Sequence, residues 1–451
     1  MKKIIALVLA AMMLLACCSA VAEAPEGYPE KVDGIDFGGA TIYIHDYWSS
    51  SSDDRKAEPT EEEQAQYDYR DWIMETYNCH IIQIADGDWG SNATQMMNFV
   101  SAPDGSYRLY IIEPGSVLNL VNNGYTMPWS DKYMDLNDDK WNAADKDFMT
   151  IGDQVWGLYP GKTEPRQCLY FNKRVLSEAG IEAADLYDLQ AAGKWTWSAF
   201  TDMLAQITKD VDNDGTIDVW GMTGDANDMY FMAVFSNGGS FFDFVDGKLA
   251  PTVGEDAALN ALNWARDEVF FKYFYQQPAD GNWDYYKEAF KAGNIGFYMY
   301  QCYGGFNDNA ELADMEDEWG MVAFPVPNEG DNYMTTASDN ITLIPNVYDE
   351  ETAAKLALIY DLWTNDTPGY DDDDSWIGNK YNFTDERAVD ESYATLRENG
   401  HSVINKALYL GTLNDIVGAP LTWNLSWETP AEAIEAAMPT WQSLCDAFNA
   451  K

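Results

Sequence analysis

Short apolar strands alternate with amphipathic helices along this chain of 451 residues. Thr60 and Glu63 form a capping box, the pattern that starts a helix, and the helix is predicted to run to Tyr77. Strand, helix, strand, helix in this order indicates an α/β fold with mainly parallel sheets. In such sheets, ligands bind at the carboxyl ends of the strands. The predicted strands of this part are 40–45, 79–84 and 109–112, and a second helix is predicted at 95–100.

The same order of elements repeats further along the chain. More than 400 residues exceed what one hydrophobic core usually serves, so two lobes are expected. The chain is 46% hydrophobic and 14% aromatic, which indicates a packed protein rather than a disordered one. The predicted strands here are 168–171, 295–300 and 320–324, with helices at 173–179, 196–207, 285–291, 353–363, 386–398 and 429–448.

The N-terminus is typical of an exported protein. Two lysines precede the apolar run Ile4–Ala16, which is too short to span a membrane as a mature helix. We therefore predict a signal peptide at 1–22 and a polar tether at 23–34. Cys17 follows Leu14-Leu15-Ala16, a sequence that resembles a bacterial lipobox and predicts lipidation of this cysteine. The alternative is ordinary cleavage after Ala20-Val21-Ala22, which would release the protein.

Charge excludes some partners. The chain has 75 acidic and 27 basic residues, a formal net charge of −48. Such a surface repels phosphate backbones and so excludes nucleic acid as a partner.

Sequence motifs typical of enzymes are absent, because the sequence has no G-x-S-x-G motif and no phosphate-binding glycine loop. Neither the three histidines nor the four cysteines beyond the signal region show metal-ligand spacing, and the cysteines fix no disulfide: His45, His80, His401, Cys79, Cys168, Cys302 and Cys445.

Five segments resemble, in order and approximate spacing, the extracellular solute-binding proteins of family 1. These are the sugar-capturing, maltose-binding-protein-like components of ATP-driven importers. The segments are LYFNKRVLSEAG at 169–180, WTWSAF at 195–200, the acidic turn at 210–221, AFKAGNIGFY at 289–298 and GMVAFPVP at 320–327.

The resemblance implies a two-lobed, periplasmic-binding-protein-like fold whose lobes are joined by crossing hinge strands. It places the first lobe at 35–165 and 327–372 and the second at 166–326 and 373–451. It also implies that the protein is a secreted or periplasmic monomer, not an enzyme and without a required cofactor. A mono- or oligosaccharide would be held between the lobes, and the closed form would dock on the permease of an ABC importer.

Sugars have apolar ring faces and many hydroxyl groups, so a sugar site needs flat aromatic rings and carboxylate or amide groups. Asp46 and Trp48 follow the first predicted strand, and Glu113 follows the third. The corresponding strand ends face the ligand in the family that the chain resembles. The alternative role of the two carboxylates is to cap a turn or a helix.

Further candidates lie at the predicted hinge and beyond it. Glu164 and Arg166 flank Pro165, where the alternative is a surface ion pair. Trp423 and Trp427 lie four residues apart, a spacing that places both rings on one helical face, with core packing as the alternative. The candidates from the second lobe follow a glycine-bounded turn or a strand: Asp225, Tyr230, Tyr300 and Tyr303.

An acidic loop predicts a structural Ca²⁺ site. Oxygen ligands at loop positions one, three, five and nine, with glycine at six, suit this ion. The backbone carbonyl of Thr216 would be a further ligand, whereas Gly221 stands where a bidentate glutamate is usual. A solvated acidic turn is the alternative. The predicted carboxylate ligands are Asp210, Asp212, Asp214 and Asp218.

Three other functions stay open at the level of sequence. A secreted glycoside hydrolase also uses paired carboxylates and aromatic residues in a cleft. A receptor for peptides or cationic solutes would suit the acidic surface. A surface scaffold without a small ligand would fill its cleft with side chains.

Overall fold

In a computed structural model, the chain forms two lobes, each built on one main β-sheet with its own hydrophobic core. Among the described residues, no helix is both long and apolar enough to cross a membrane. The described residues are 24–161, 164–305, 311–337, 340–370, 383, 385–398 and 402–450. The predicted signal peptide with Cys17 lies outside them, as does the predicted boundary at 372–373.

The first lobe contains strands from both ends of its sequence range. Its sheet has the order β2-β1-β3-β14-β4. The second lobe has a sheet of order β12-β7-β11-β8. The strands are β1 Ala40–Asp46, β2 Cys79–Ala85, β3 Tyr107–Ile112, β4 Thr126–Met127, β5 Thr150–Ile151, β6 Gln154–Val155, β7 Gln167–Asn172, β8 Trp220–Gly224, β9 Phe242–Val245, β10 Lys248–Pro251, β11 Ile295–Gln301, β12 Trp319–Val322, β13 Thr335–Ala337, β14 Ile341–Pro345 and β15 Ser402–Ile404.

Helices cover both sheets, and local sequence signals set their ends. The capping box predicted at Thr60 is formed: its side chain accepts from the Glu63 N–H, and Glu63 accepts from the Thr60 N–H. The helices are α1 Glu61–Tyr77, α2 Asn92–Ser101, α3 Pro114–Asn122, α4 Ala143–Phe148, α5 Lys173–Glu178, α6 Ala183–Ala191, α7 Trp197–Ile207, α8 Ala226–Ser236, α9 Asp256–Trp264, α10 Phe271–Tyr273, α11 Tyr286–Lys291, α12 Glu350–Trp363, α13 Ala394–Glu398 and α14 Pro430–Asn449.

The two-lobed α/β fold is confirmed, and each sheet is mixed: most of its strands run in one direction and one strand runs against them. In the first lobe, β1 pairs in parallel with β2 and β3, whereas β14 is antiparallel to both its neighbours. In the second lobe, β11 pairs in parallel with β8, whereas β7 is antiparallel to both its neighbours. The reason is topological. Strands β7 and β14 enter their lobes from the hinge, so they start at the edge where the other strands end.

Two short strands join the lobes at the hinge. Strand β13 pairs in parallel with β15, and the Thr335 hydroxyl accepts from the backbone N–H groups of Arg166 and Gln167 at 2.9 and 3.2 Å. Beyond β15, the ring of Tyr409 contacts Phe148 of the first lobe and Phe244 of the second. The lobes are therefore joined by hydrogen-bonded strands on one side and by an aromatic contact after β15.

Candidate ligand-binding cleft

The strand ends of the two sheets meet at the hinge. In the first lobe, Ile341 at the start of β14 pairs with Ile112 at the end of β3. In the second lobe, Gln167 at the start of β7 pairs with Gln301 at the end of β11. The residues that follow β1, β3, β8 and β11 therefore lie around one cleft between the lobes.

Asp46 supports the first-lobe wall from within. It is fully buried, and its carboxylate accepts from the N–H groups of Trp48 and Ser49 at 3.2 and 3.0 Å. The Gln83 amide donates to the second oxygen at 2.8 Å. Asp46 thus acts as the turn cap that was its alternative role, and it holds the half-exposed ring of Trp48 at the end of β1.

Glu113 also caps a turn. Its carboxylate accepts from the Gly115 N–H at 2.6 Å and from the Ser116 hydroxyl at the start of α3. Burial raises the pKa of Glu113, and these hydrogen bonds oppose the shift. Beside it lies Tyr47, whose hydroxyl donates to Asn340, just before β14. Burial raises the pKa of Tyr47, and the nearby Glu113 carboxylate adds to this shift, so the two share this part of the wall.

The predicted hinge pair is divided between two environments. Glu164 accepts from the Tyr393 hydroxyl and forms an ion pair with Arg397, both in the second lobe. Burial raises the pKa of Tyr47 in the first lobe and of Asp228 in the second, and the charge of Arg166 lowers both. Arg166 therefore bridges the two walls electrostatically.

The second-lobe wall carries a pair of carboxylates at the start of α8. Asp225 is the helix N-cap and accepts from the Asn227 N–H at 2.8 Å, and Asp228 lies in the first turn of the helix. Burial raises the pKa of Asp225. Burial and the neighbouring Asp225 together raise the pKa of Asp228 to about 8. The pair favours a single bound proton near neutral pH, so this wall can both donate and accept hydrogen bonds.

Aromatic rings extend this wall. The hydroxyls of Tyr300 and Tyr303 lie 3.1 Å apart, and Tyr300 is 3.3 Å from a carboxylate oxygen of Glu311. Lys287 forms an ion pair with Glu311 at 2.7 Å and lies over the rings of Tyr300 and Trp283, at 5.6 and 5.8 Å. Trp283 is 73% exposed. We call these five residues the aromatic platform.

The remaining predicted residues differ in position. Tyr230 is only 1% exposed and packs against Phe270 in the core, so almost none of its surface is open to a ligand. Trp423 is half-exposed, and the adjacent Thr422 donates to Asn227 beside Asp225, which places this segment next to the wall. Trp423 lies in a 3₁₀ turn formed by Thr422–Ser426. Trp427 follows this turn directly and is 68% exposed.

The acidic loop folds back on itself before β8. Carboxylate oxygens of Asp210, Asp212 and Asp218 lie within 4.8 Å of one another. Asp214 is not part of this group, and its carboxylate accepts from the Thr216 N–H at 2.7 Å. Backbone N–H groups already donate to all three clustered carboxylates. The donor set fits an oxygen-preferring ion such as Ca²⁺, with three of the four predicted carboxylates brought together.

Sequence reasoning missed several residues of the cleft. Tyr47 lies between two predicted residues, and Trp283 sits in a loop rich in glycine, asparagine and aspartate before α11, so local signals for both existed. Asp228, Lys287 and Glu311 gave no such signal, because their roles depend on partners distant in sequence.

Comparison with known protein families gives a match over most of the chain. The family described as bacterial extracellular solute-binding protein matches residues 58–358, more than half of the chain. No curated protein matches the chain in sequence.

Solved structures share the fold at low identity. UgpB from Mycobacterium tuberculosis, in complex with glycerophosphocholine, has a TM-score of 0.62 and 13% identity, covering 91% of this chain and 99% of its own. The cyclic alpha-maltosyl-1,6-maltose binding protein from Arthrobacter globiformis has a TM-score of 0.59 and 15% identity, with 91% and 100% covered. The GacH receptor of Streptomyces glaucescens, solved with acarbose, has a TM-score of 0.56 and 15% identity, with 90% and 99% covered. The chain belongs to the bacterial extracellular solute-binding proteins.

Proposed function

We propose that this protein captures an oligosaccharide between its two lobes and delivers it to the permease of an ABC importer. The aromatic platform carries the proposal. Trp283 and Tyr303 offer exposed rings on which a sugar face can stack, and Glu311 lies beside them to accept from sugar hydroxyls. Asp225 and Arg166 add hydrogen-bonding groups nearer the hinge. Saccharides bound to similar proteins, such as acarbose and cyclic alpha-maltosyl-1,6-maltose, support this class of ligand.

Thermal unfolding against a ligand panel tests the proposal. We expect oligosaccharides such as maltotetraose, mannotriose and acarbose to raise the melting midpoint of the mature protein. A ligand that binds only the folded state adds about 2.7 kcal/mol of stability at a hundredfold excess over its Kd. The bound saccharide should be recovered unchanged after incubation, because the proposal assigns no catalysis to the cleft.

The control ligands separate the alternatives. Glycerophosphocholine, bound by the similar UgpB, and short basic peptides would stabilise a receptor for cationic solutes instead. Stabilisation by these compounds and by no saccharide would refute the proposal. Release of shorter sugars during incubation would indicate a glycoside hydrolase.

We also propose that Ca²⁺ binds the loop of Asp210, Asp212 and Asp218 as a structural ion. The close carboxylates support this, because a divalent cation would offset their mutual repulsion. Millimolar Ca²⁺ is expected to raise the melting midpoint of the wild-type protein but not of Asp212→Asn. Asp202→Asn, which removes the same charge from an exposed position of α7, is the control and should keep the response. A Ca²⁺ response equal in all three proteins would contradict the site.

The finer details of location rest on the sequence. We propose that residues 1–22 direct export and that Cys17 carries a lipid anchor that holds the protein at the outer face of the membrane. The polar residues 23–34 would then be the tether, and the two lobes would act as a monomer. The domain limits proposed are 35–165 with 327–372 for the first lobe, and 166–326 with 373–451 for the second.

A further inference from the structure

We propose that Gln167 and Asp228 are positioning residues for ligand binding. They tie the start of α8, where Asp225 is the N-cap at the cleft wall, to strands β7 and β13 at the hinge. This inference rests on the proposed function, because the geometry that the two residues fix is that of the cleft. Gln167 begins β7, Asp228 lies in α8 and Thr336 lies in β13, so one chain of buried side chains connects three elements.

The orientation of the Gln167 amide follows from its partners. Its Oε1 accepts from the Thr336 backbone N–H at 3.1 Å and from the Thr336 hydroxyl at 2.5 Å. Because a backbone N–H can only donate, the oxygen must lie on this side and the amino group on the other. Nε2 donates to Asp228 Oδ1 at 3.0 Å. Asp228 Oδ1 is therefore an acceptor, and a proton on this carboxyl must lie on Oδ2.

The backbone reinforces the same connection. The Thr335 hydroxyl accepts from the backbone N–H groups of Arg166 and Gln167, so β13 is also held against the start of β7 beside the Gln167 side chain. A rotation of β7 relative to β13 would displace the amide and, through it, Asp228. Asp225 would move with Asp228 because both lie in the first turn of the same helix. The position of the ligand wall is thus coupled to the hinge.

The groups around Asp228 favour the neutral, protonated form of its carboxyl while it accepts the hydrogen bond from Gln167. Asp225 of the same helix raises the pKa of Asp228, and the Gln167 amide and Arg166 lower it. The other titratable groups near it are the Cys168 thiol of β7 and the Tyr286 hydroxyl of α11. Burial is the largest influence and brings the pKa of Asp228 to about 8. When Asp228 ionises above this pH, it and Asp225 are both negatively charged, and the two buried carboxylates at the start of α8 repel each other.

Ligand affinity should therefore fall in alkaline solution, and Asp228→Asn should abolish this fall. If only the neutral acid allows closure, the wild-type Kd for maltotetraose or mannotriose rises about tenfold between pH 7 and pH 9, since each pH unit above a pKa costs a factor of ten. In Asp228→Asn, the two Kd values should agree within about twofold. Calorimetric titration of the full mature protein measures both. The same pH profile in both proteins would overturn the inference.

A second readout needs no saccharide. The ordinary pKa of aspartate is about 3.9, and that of Asp228 is raised in the folded state. Between these two values the folded protein holds a proton that the unfolded chain has lost, so wild-type stability falls as pH rises from about 4 to 8. The melting midpoint of Asp228→Asn, minus that of the wild type, should therefore increase as the pH rises from 5 to 9. A constant difference would overturn the inference, whereas absence of saccharide binding alone would refute only the proposed function.

The role of Gln167 is tested against a matched buried glutamine. Gln190 also lies in the second-lobe core, where its amide accepts from the Ala323 N–H and donates to the Ser392 hydroxyl. Gln167→Met and Gln190→Met should lose similar stability, because each leaves buried partners without a hydrogen bond. Only Gln167→Met should weaken saccharide binding. If the resulting shift of Asp225 costs the ligand one hydrogen bond, the Kd should rise about tenfold. Equal affinities of the two variants would refute the positioning role.

Discussion

Trp283→Ala is expected to weaken saccharide binding roughly 30-fold while leaving the melting midpoint of the free protein nearly unchanged. Trp283 is the most exposed of the large hydrophobic side chains among the described residues, so its ring contributes little to the folded state before a ligand covers it. A stacked sugar would remove much of that apolar surface from water. Burying a large apolar side chain contributes about 2 kcal/mol, which corresponds to the stated change in Kd. Titration calorimetry and thermal unfolding of the same samples measure both quantities.

The control for Trp283 is another exposed ring of the same lobe. Phe271 is half-exposed, and its ring centroid lies 4.6 Å from the guanidinium carbon of Arg266, which is not one of the five residues of the aromatic platform. Phe271→Ala should leave the Kd within about twofold of the wild type. A Trp283→Ala protein with wild-type affinity would remove the main support for the proposed sugar site. Loss of affinity in both variants would indicate a general effect of removing surface rings.

The fold was predictable because its signals are local. Each signal depends on residues a few positions apart. Examples are the capping box at Thr60, the strand that starts at Ala40 and the strand-to-helix segment at 169–180. The direction of the strands was not predictable in this way. Whether β7 and β14 run with or against their neighbours depends on where the chain crosses the hinge, and no local pattern encodes that crossing.

The site was predictable in place but not in role. Asp46 and Glu113 lie at the strand ends where the sequence predicts them, yet both carboxylates are used by nearby turns. An acidic residue after a strand can cap a turn or bind a ligand, and the choice at Asp46 depends partly on Gln83, 37 positions away. The Gln167–Asp228 contact spans 61 positions. Such contacts follow from the tertiary fold and leave no periodicity in the sequence.

Gly224→Ala is expected to destabilise the protein by about 3–5 kcal/mol, combining backbone strain with a forced displacement of β11. Gly224 ends β8 with φ of +144°, a conformation that residues with a side chain rarely adopt. A Cβ atom there would lie 2.2 Å from the Met299 carbonyl oxygen, and this contact is with backbone that cannot rotate away. Urea unfolding of the free protein measures the loss.

The same change should also disturb the cleft. Asp225 follows Gly224 directly, and its N–H donates to the Met299 carbonyl at 3.3 Å, so separating β8 from β11 would move the carboxylate at the start of α8. The control is Gly238→Ala, because Gly238 has φ of +69° but a Cβ atom added there would have no neighbour within 4 Å. It isolates the conformational cost, about 1 kcal/mol. Equal losses in the two variants would show that backbone conformation alone matters, whereas a larger loss at Gly224 with weakened saccharide binding would show that the close contact between β8 and β11 positions Asp225.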